Sequence, residues 1–510
     1  MPQVISLGLD GAAWHKLDRL VEDGRMPNLE GLIESGTRAP LRSVTPPVTC
    51  PAWRCSTTGK NPGKLGVFWW MNLDRDAGTI TTPDSTSFES ADLWEYLSQD
   101  GYKSAVVNVP MTYPPGKLDG LMVSGFGMPM DSTTGTEIPI TYPPGYEQEL
   151  RDDYDWQSTV DNIDTPAGLE QTYEVIRSRL ELLIDLIEED FDYIHLTVFY
   201  INMLQHKYGD SEETNRAWEL IDEYLGQLPS EDTLLLIYSD HGHAEIENTF
   251  VVNQWLIENG YLSLSSESGE SVIESVYTRL KSLGVSPKRL AASARSLLPE
   301  SAYGRVIPSK YPIGSHDLPS RINWDDTTAV AFSQGPLYLN RDRLGSKYES
   351  VREELQQKLT SLTYQGDGVL DSVEQAEQVY EGPYVDQAPD LLLTSANGWE
   401  IYGGIVPSVF DSQPMSWTSG NDPEGMMLIN GPSVASQTLS ERSILDIAPT
   451  ILAYLESPIP EDMDGTPLTQ VFPDRDLSVD TRTPHEPSTR QYQTDSEELT
   501  QQLEDLGYLE

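Results

Sequence analysis

Short apolar runs alternate with longer amphipathic ones along most of this chain, and that alternation restricts the fold more than any other feature. The run at 4–9 ends at Asp10-Gly11, and a helical pattern follows over 14–35. A Pro/Thr-rich loop from Thr45 to Trp53 leads into another helix. Runs at 103–109 and 233–238 read as buried strands, the second ending at Ser239-Asp240-His241-Gly242. Between them, an amphipathic helix over 166–189 precedes a strand at 192–200, and 212–228 is helical in pattern. Continuous apolar strands of this length, separated by helices, are buried on both faces by those helices. The expected fold class is therefore α/β, with a mostly parallel central sheet flanked by helices.

The alternation breaks at 263. Ser/Glu-rich sequence and then basic helical pieces read as a cap inserted over the loop end of the sheet. The expected division is a first core part over 1–262, the cap over 263–325, a second core part over 326–470 and a polar tail over 471–510. A short helix at 496–508 closes the tail.

Charge narrows the function. Against 33 basic residues stand 81 acidic ones, a formal net charge of −48. Such a surface repels nucleic acid and anionic lipid, so neither is an expected partner. Of the basic residues 11 are Lys and 22 Arg, and acidic residues are spread along the whole chain, the bias of proteins from salt-loving archaea. No stretch approaches 18 consecutive apolar residues and the start lacks a basic leader, so no membrane insertion is expected. Cys50 and Cys55 are the only cysteines, which suits a reducing compartment; the expected location is cytoplasmic. Nothing in the sequence sets the oligomeric state.

Three features can carry chemistry. Asp10 closes the first strand, Asp240 and His241 close a later one, and Thr49 stands just before Pro51 at the start of a helix. Carboxyl ends of parallel strands converge on one edge of the sheet, where ligands bind. Two carboxylates and an imidazole meeting there suit Zn²⁺ or Mn²⁺. A threonine hydroxyl is a poor nucleophile at neutral pH, and coordination to a dication makes it a better one. The amides at the helix start add donors for an anion. Each feature alone is commonplace; their joint occurrence in this chain order is not. Arg54 and Lys60 are candidates for holding substrate oxyanions, while His195, within an apolar strand, reads as a core histidine.

The stretch Pro46-Pro47-Val48-Thr49-Cys50-Pro51-Ala52-Trp53, followed by Thr58-Gly59-Lys60-Asn61-Pro62-Gly63, resembles the alkaline phosphatase superfamily in its type I phosphodiesterase/nucleotide pyrophosphatase branch. Within that branch the likeness is to the prokaryotic predicted phosphohydrolase/phosphomutase group. Supporting matches are Asn108-Val-Pro-Met-Thr-Tyr-Pro-Pro115, Ser239-Asp240-His241-Gly242, Ala388-Pro-Asp390 and Asp446-Ile-Ala-Pro-Thr450. The resemblance implies an alkaline-phosphatase-like fold, two adjacent metal ions and a Thr or Ser nucleophile that forms a covalent phospho-enzyme.

By the same resemblance, Asp10, Thr49, Asp240 and His241 match the metal site that activates the nucleophile. The other site uses an Asp and a His four residues apart, plus a late His. Here those positions read Asn202, His206 and Asn421, with Asp422 beside the last as a substitute carboxylate. Asparagine brings no charge, so this second site is weakened and suits Mg²⁺ or Ca²⁺ better than Zn²⁺. The expected function is a metal-dependent phosphohydrolase or phosphodiesterase acting through Thr49 on a small phosphate ester. Its rivals are a one-metal phospho-group transferase and a non-catalytic relative that only binds an anionic ligand.

Overall fold

The computed structural model describes residues 3–74, 79–125, 139–157, 160, 162–229, 231–265, 318–415, 417–477 and 479–488. Most of the expected cap, and the helix expected at 496–508, lie outside them. Among the described residues the chain divides into two compact units, one of 3–245, 379–388 and 418–488, the other of 246–378 and 389–417.

The first unit is built on the strands β1 (Val4–Leu9), β2 (Thr37–Arg42), β3 (Ser104–Val107), β4 (Gly120–Val123), β5 (Thr141–Tyr142), β6 (Tyr193–Val198) and β7 (Leu234–Tyr238). The hairpin-like pair β8 (Gly242–Glu245) and β9 (Ser419–Asp422) follows, and then β10 (Glu424–Asn430). Strands β7, β1, β6, β3 and β4 lie side by side and parallel in that order. Every residue of β1, β6 and β7 is buried, as strands covered on both faces must be. Outside this centre, β10 runs antiparallel between β7 and β2, and β5 runs antiparallel to β4. The expected α/β class with a mostly parallel sheet is borne out, with antiparallel strands added on both flanks.

Helices α1 (Trp14–Glu22) and α2 (Pro27–Ser35) occupy the stretch whose pattern reads as one helix. The break has a local cause. Gly24 takes φ +72°, and Pro27, which has no N–H to donate, opens the second helix at its first turn. Helix α3 (Thr49–Thr58) packs its Trp53 ring on β1, where a Cβ on Gly8 would lie 2.4 Å from the ring; only glycine allows that approach. Helix α4 (Leu93–Gln99) precedes β3, and the 22-residue α5 (Pro166–Ile187) starts at Thr165, whose hydroxyl accepts the Gly168 N–H at 3.0 Å. Helix α6 (Tyr200–Tyr208) begins two residues after β6, and α7 (Glu212–Leu225) follows. Cys50 and Cys55 are buried free thiols. Among the described residues no helix is long and apolar enough to cross a membrane.

Two larger sheets and the short antiparallel pair Thr363–Tyr364 with Asp367–Gly368 lie in the described residues of the second unit. Asn248–Val251 lies between Trp399–Tyr402 and Phe410–Asp411, and Ala329–Ala331, Pro336–Leu339, Leu391–Ser395 and Leu370–Gln375 form an antiparallel sheet in that order.

Candidate active site

Strand β1 sits between β6 and β7, so three adjacent parallel strands deliver their carboxyl ends to one edge. Residues just beyond those ends are Asp10 and Gly11 after β1, Asp240 and His241 after β7, and Asn202 and His206 on α6 after β6. Asp10, Asp240 and His241 each offer one ligand atom within 4.8 Å of the other two, all buried. His241 Nε2 lies 3.2 Å from Asp240 Oδ2 and 3.8 Å from Asp10 Oδ1. Thr49, at the first position of α3 and fully buried, has its Oγ1 3.0 Å from the same nitrogen. Four of the residues singled out in the sequence thus meet at one point.

Their orientation is held by neighbours. Trp53 Nε1–H donates to Asp10 Oδ2 at 2.8 Å, and the Gly11 N–H donates to Asp240 Oδ1 at 3.2 Å. His241 Nδ1 donates to the Gly242 carbonyl at 2.8 Å, which fixes the tautomer and turns the Nε2 lone pair toward the two carboxylates. The remaining oxygens, Asp10 Oδ1 and Asp240 Oδ2, are buried without a hydrogen-bond partner. Burial raises the pKa of Asp10 well above the usual carboxylate range, and the Asp240 charge beside it adds to that. Burial likewise raises Asp240, opposed by His241. Two such groups side by side without a counter-charge hold a proton between them; a dication in contact with both oxygens removes that need. The donor set of two carboxylates and one oriented imidazole fits such an ion.

The other positions gather beside this cluster. Asn202 and His206 lie one turn apart on α6 and are fully buried. His206 Nδ1 donates to Ser419 O at 2.7 Å, and burial lowers its pKa to about 3, so the ring is neutral. Pairing of β8 with β9 places Asn421 opposite His243. The Asn421 amide donates to the Pro47 carbonyl at 2.8 Å, two residues before Thr49. Asp422 Oδ1 accepts the Glu424 N–H at 2.8 Å, and Asp422 is not one of the three residues of the acidic cluster.

Arg54 and Lys60, the two candidates for holding substrate oxyanions, are found with partners inside the fold. Arg54 is fully buried and gives its guanidinium to Asp92 at 2.9 and 3.2 Å and to the Met111 carbonyl at 2.8 Å. Lys60 is buried between Ser90 at 2.7 Å and Asp462 at 2.5 Å. Both buried cations are engaged by groups of the fold itself. Trp53 and Gln205 are residues to which the sequence assigned no role, while His243, two residues beyond His241, read as lining the rim of the site. Gln205 Nε2 and His243 Nδ1 both donate to the Gly11 carbonyl, at 3.0 and 2.9 Å. Only the spacing of Gln205 from Asn202 hinted at this.

A model of the type I phosphodiesterase / nucleotide pyrophosphatase family matches residues 4–422. The chain belongs to that family. It is a phosphoric ester hydrolase, and the Asp10, Asp240 and His241 cluster is a possible metal site for the metal-dependent chemistry of type I phosphodiesterases. Solved structures share the fold at low identity. Phosphonoacetate hydrolase from Sinorhizobium meliloti 1021, in complex with phosphonoformate, matches with TM-score 0.54 and 17% identity over 86% of this chain and 91% of its own. Human ectonucleotide pyrophosphatase / phosphodiesterase 5 matches with TM-score 0.53 and 13% identity over 92% and 98%. An inactive form of the murine counterpart, in complex with AMP, gives 0.50 and 11% over 90% and 96%. No curated protein sequence matches the chain.

Proposed function

We propose that this phosphodiesterase-family chain is a metal-dependent phosphohydrolase of the prokaryotic phosphohydrolase/phosphomutase kind, with Thr49 as nucleophile and a small phosphate ester as substrate. The observation that carries the reading is the meeting of Thr49 Oγ1, His241 Nε2 and two buried carboxylates within hydrogen-bond and ligand distances. Asp10, Asp240 and His241 would hold a dication, which would lower the pKa of the Thr49 hydroxyl and offset charge on a phosphoryl oxygen. Trp53 and the Gly11 amide hold the two carboxylates in place, and the Gly242 carbonyl keeps His241 in the ligand tautomer. The helical ladder of α3 opens with Ala52 N–H on the Val48 carbonyl. The Thr49 and Cys50 amides stand ahead of that ladder, available to a phosphoryl oxygen.

In the proposed reaction the Thr49 Oγ1–P bond forms as the bond from phosphorus to the leaving oxygen breaks, and that oxygen takes up a proton. Water then attacks the phosphothreonine, releasing phosphate or a phosphate monoester and restoring the hydroxyl. A one-dication group transferase uses the same residues and is favoured by asparagine at 202 and 421; it passes the phosphoryl group to an alcohol instead of water.

The test is hydrolysis of bis-p-nitrophenyl phosphate and p-nitrophenyl phosphate with Mn²⁺ or Zn²⁺ in molar KCl, wild type against Thr49→Ala. Turnover in the wild type, reduced to background in the folded variant, is the expected result. Equal rates in the two proteins would remove Thr49 from the mechanism. Rates near zero in both, restored by an added alcohol acceptor, would favour the transferase.

A further inference from the structure

The space beside the Asp10, Asp240 and His241 cluster is lined by amides, and their orientation can be worked out. Gln205 Nε2 is tied to the Gly11 carbonyl and Asn421 Nδ2 to the Pro47 carbonyl. Of an amide's two polar atoms only the nitrogen can donate to a carbonyl, so neither amide can be turned round without losing its bond. Gln205 Oε1 and Asn421 Oδ1 are thereby committed as acceptors, and both are buried without a hydrogen-bond partner. Asn202 is fully buried with its Oδ1 in the same condition, and a Cβ on Gly11 would lie 2.3 Å from that oxygen. Three acceptors with no partners are costly to bury empty. They suit water or a hydroxyl-bearing group that can donate to them, and they repel a bare phosphoryl oxygen.

What they do not suit is the second dication that the family's two-metal site calls for. Taking an ion of charge +2 out of water calls for anionic ligands, several imidazoles or a complete oxygen cage. The three positions that the resemblance assigns to a second ion hold two amides and one imidazole, Asn202, Asn421 and His206, and no carboxylate; among the described residues the acidic ligand cluster is limited to Asp10 and Asp240 with His241. We propose that this chain holds a single dication, at Asp10, Asp240 and His241, and that Asn202, Gln205 and Asn421 form a neutral pocket beside it for a hydroxyl-bearing group. The inference rests on the metal seat of the proposed function and adds its stoichiometry and the character of the ground next to it.

Counting ions tests this without any turnover. Wild type, Asp240→Asn, Asn202→Asp and the double variant Asn202→Asp/Asn421→His are equilibrated with Mn²⁺ in molar KCl, which suppresses loose binding to surface carboxylates. Bound Mn²⁺ per chain is measured, and electron paramagnetic resonance distinguishes an isolated ion from a coupled pair. Folding of each variant is checked by circular dichroism. The expected counts are one isolated ion in the wild type, a loss of affinity of at least about tenfold in Asp240→Asn, and a coupled pair in the double variant. A coupled pair in the wild type overturns the proposal. So does a single ion in the folded double variant, because the amides would then not be what excludes the second. A wild-type ion that survives Asp240→Asn but is lost in Asn202→Asp also overturns it. Failure of Thr49→Ala to abolish turnover would instead strike the nucleophile and leave these counts standing.

Discussion

His206, His241 and His243 share one device: each gives its Nδ1 proton to a backbone carbonyl, of Ser419, Gly242 and Gly11 respectively. The backbone thereby sets three tautomers at once, and no sequence pattern announces it, because any residue supplies a carbonyl. His195 differs. Read from its apolar strand as a core histidine, it is fully buried between the Tyr193 hydroxyl and Thr197 Oγ1, both 3.1 Å away, with the rings of Trp53 and Tyr238 edge-on to it. Burial lowers its pKa from the usual 6.5 to about 3. The fold therefore favours the neutral ring. That contribution is complete above pH 6.5 and is lost progressively as pH falls toward 3. Between pH 6.5 and 5 the loss amounts to about 2 kcal/mol. Denaturant unfolding of wild type and His195→Gln at pH 7 and pH 5, at fixed salt, should show the variant losing less stability by roughly that amount. An identical loss in both proteins would mean that the acid sensitivity lies elsewhere.

Among elements, α3 carries both the nucleophile candidate and the strongest internal tie. Thr49 at its start and the helix itself were legible from Thr-x-Pro and the apolar spacing. The fate of Arg54 was not, since its partner Asp92 lies 38 residues on and only the packing of α4 brings it close. Asp92 also accepts the Thr57 hydroxyl at 2.8 Å, and the guanidinium lies over the Phe88 ring at 4.2 Å. Removing one member of such a buried pair strands the other. Arg54→Leu should destabilise the protein by roughly 3–5 kcal/mol in denaturant titrations, and Arg54→Leu/Asp92→Leu should recover much of it. KM for the ester should stay at the wild-type value in whatever protein remains folded, since the guanidinium is engaged by Asp92 and the Met111 carbonyl. A raised KM with stability intact would return Arg54 to the substrate site. The late segment tells the same lesson. Asn421 was found by motif, but that β9 pairs with β8 and so brings it opposite His243 depends on a contact across 178 positions, which local periodicity does not encode.

For the whole molecule, the central sheet was legible because strands buried on both faces are apolar throughout. The second unit was not, because Pro336–Leu339 and Leu391–Ser395 look equally apolar in sequence and yet pair in a sheet of their own. The charge is legible in full and bears on stability through summation. Several surface cations are already paired, such as Arg25 with Glu212 and Glu219, and Arg216 with Glu170, so the net −48 falls mainly on unpaired carboxylates. Their mutual repulsion is relieved when the chain expands, and so opposes folding. Salt shortens its range, from a Debye length of about 10 Å at 0.1 M to about 3 Å at 1 M. The melting midpoint, followed by circular dichroism, should therefore rise steadily from 0.1 M to molar KCl. Choline chloride at equal ionic strength should reproduce most of the rise if screening is the cause, because it too screens the charges. If KCl stabilises and choline chloride does not, carboxylates hold specific hydrated cations instead. A midpoint that stays flat or falls with both salts would show that the acidic surface is not a source of instability at low salt.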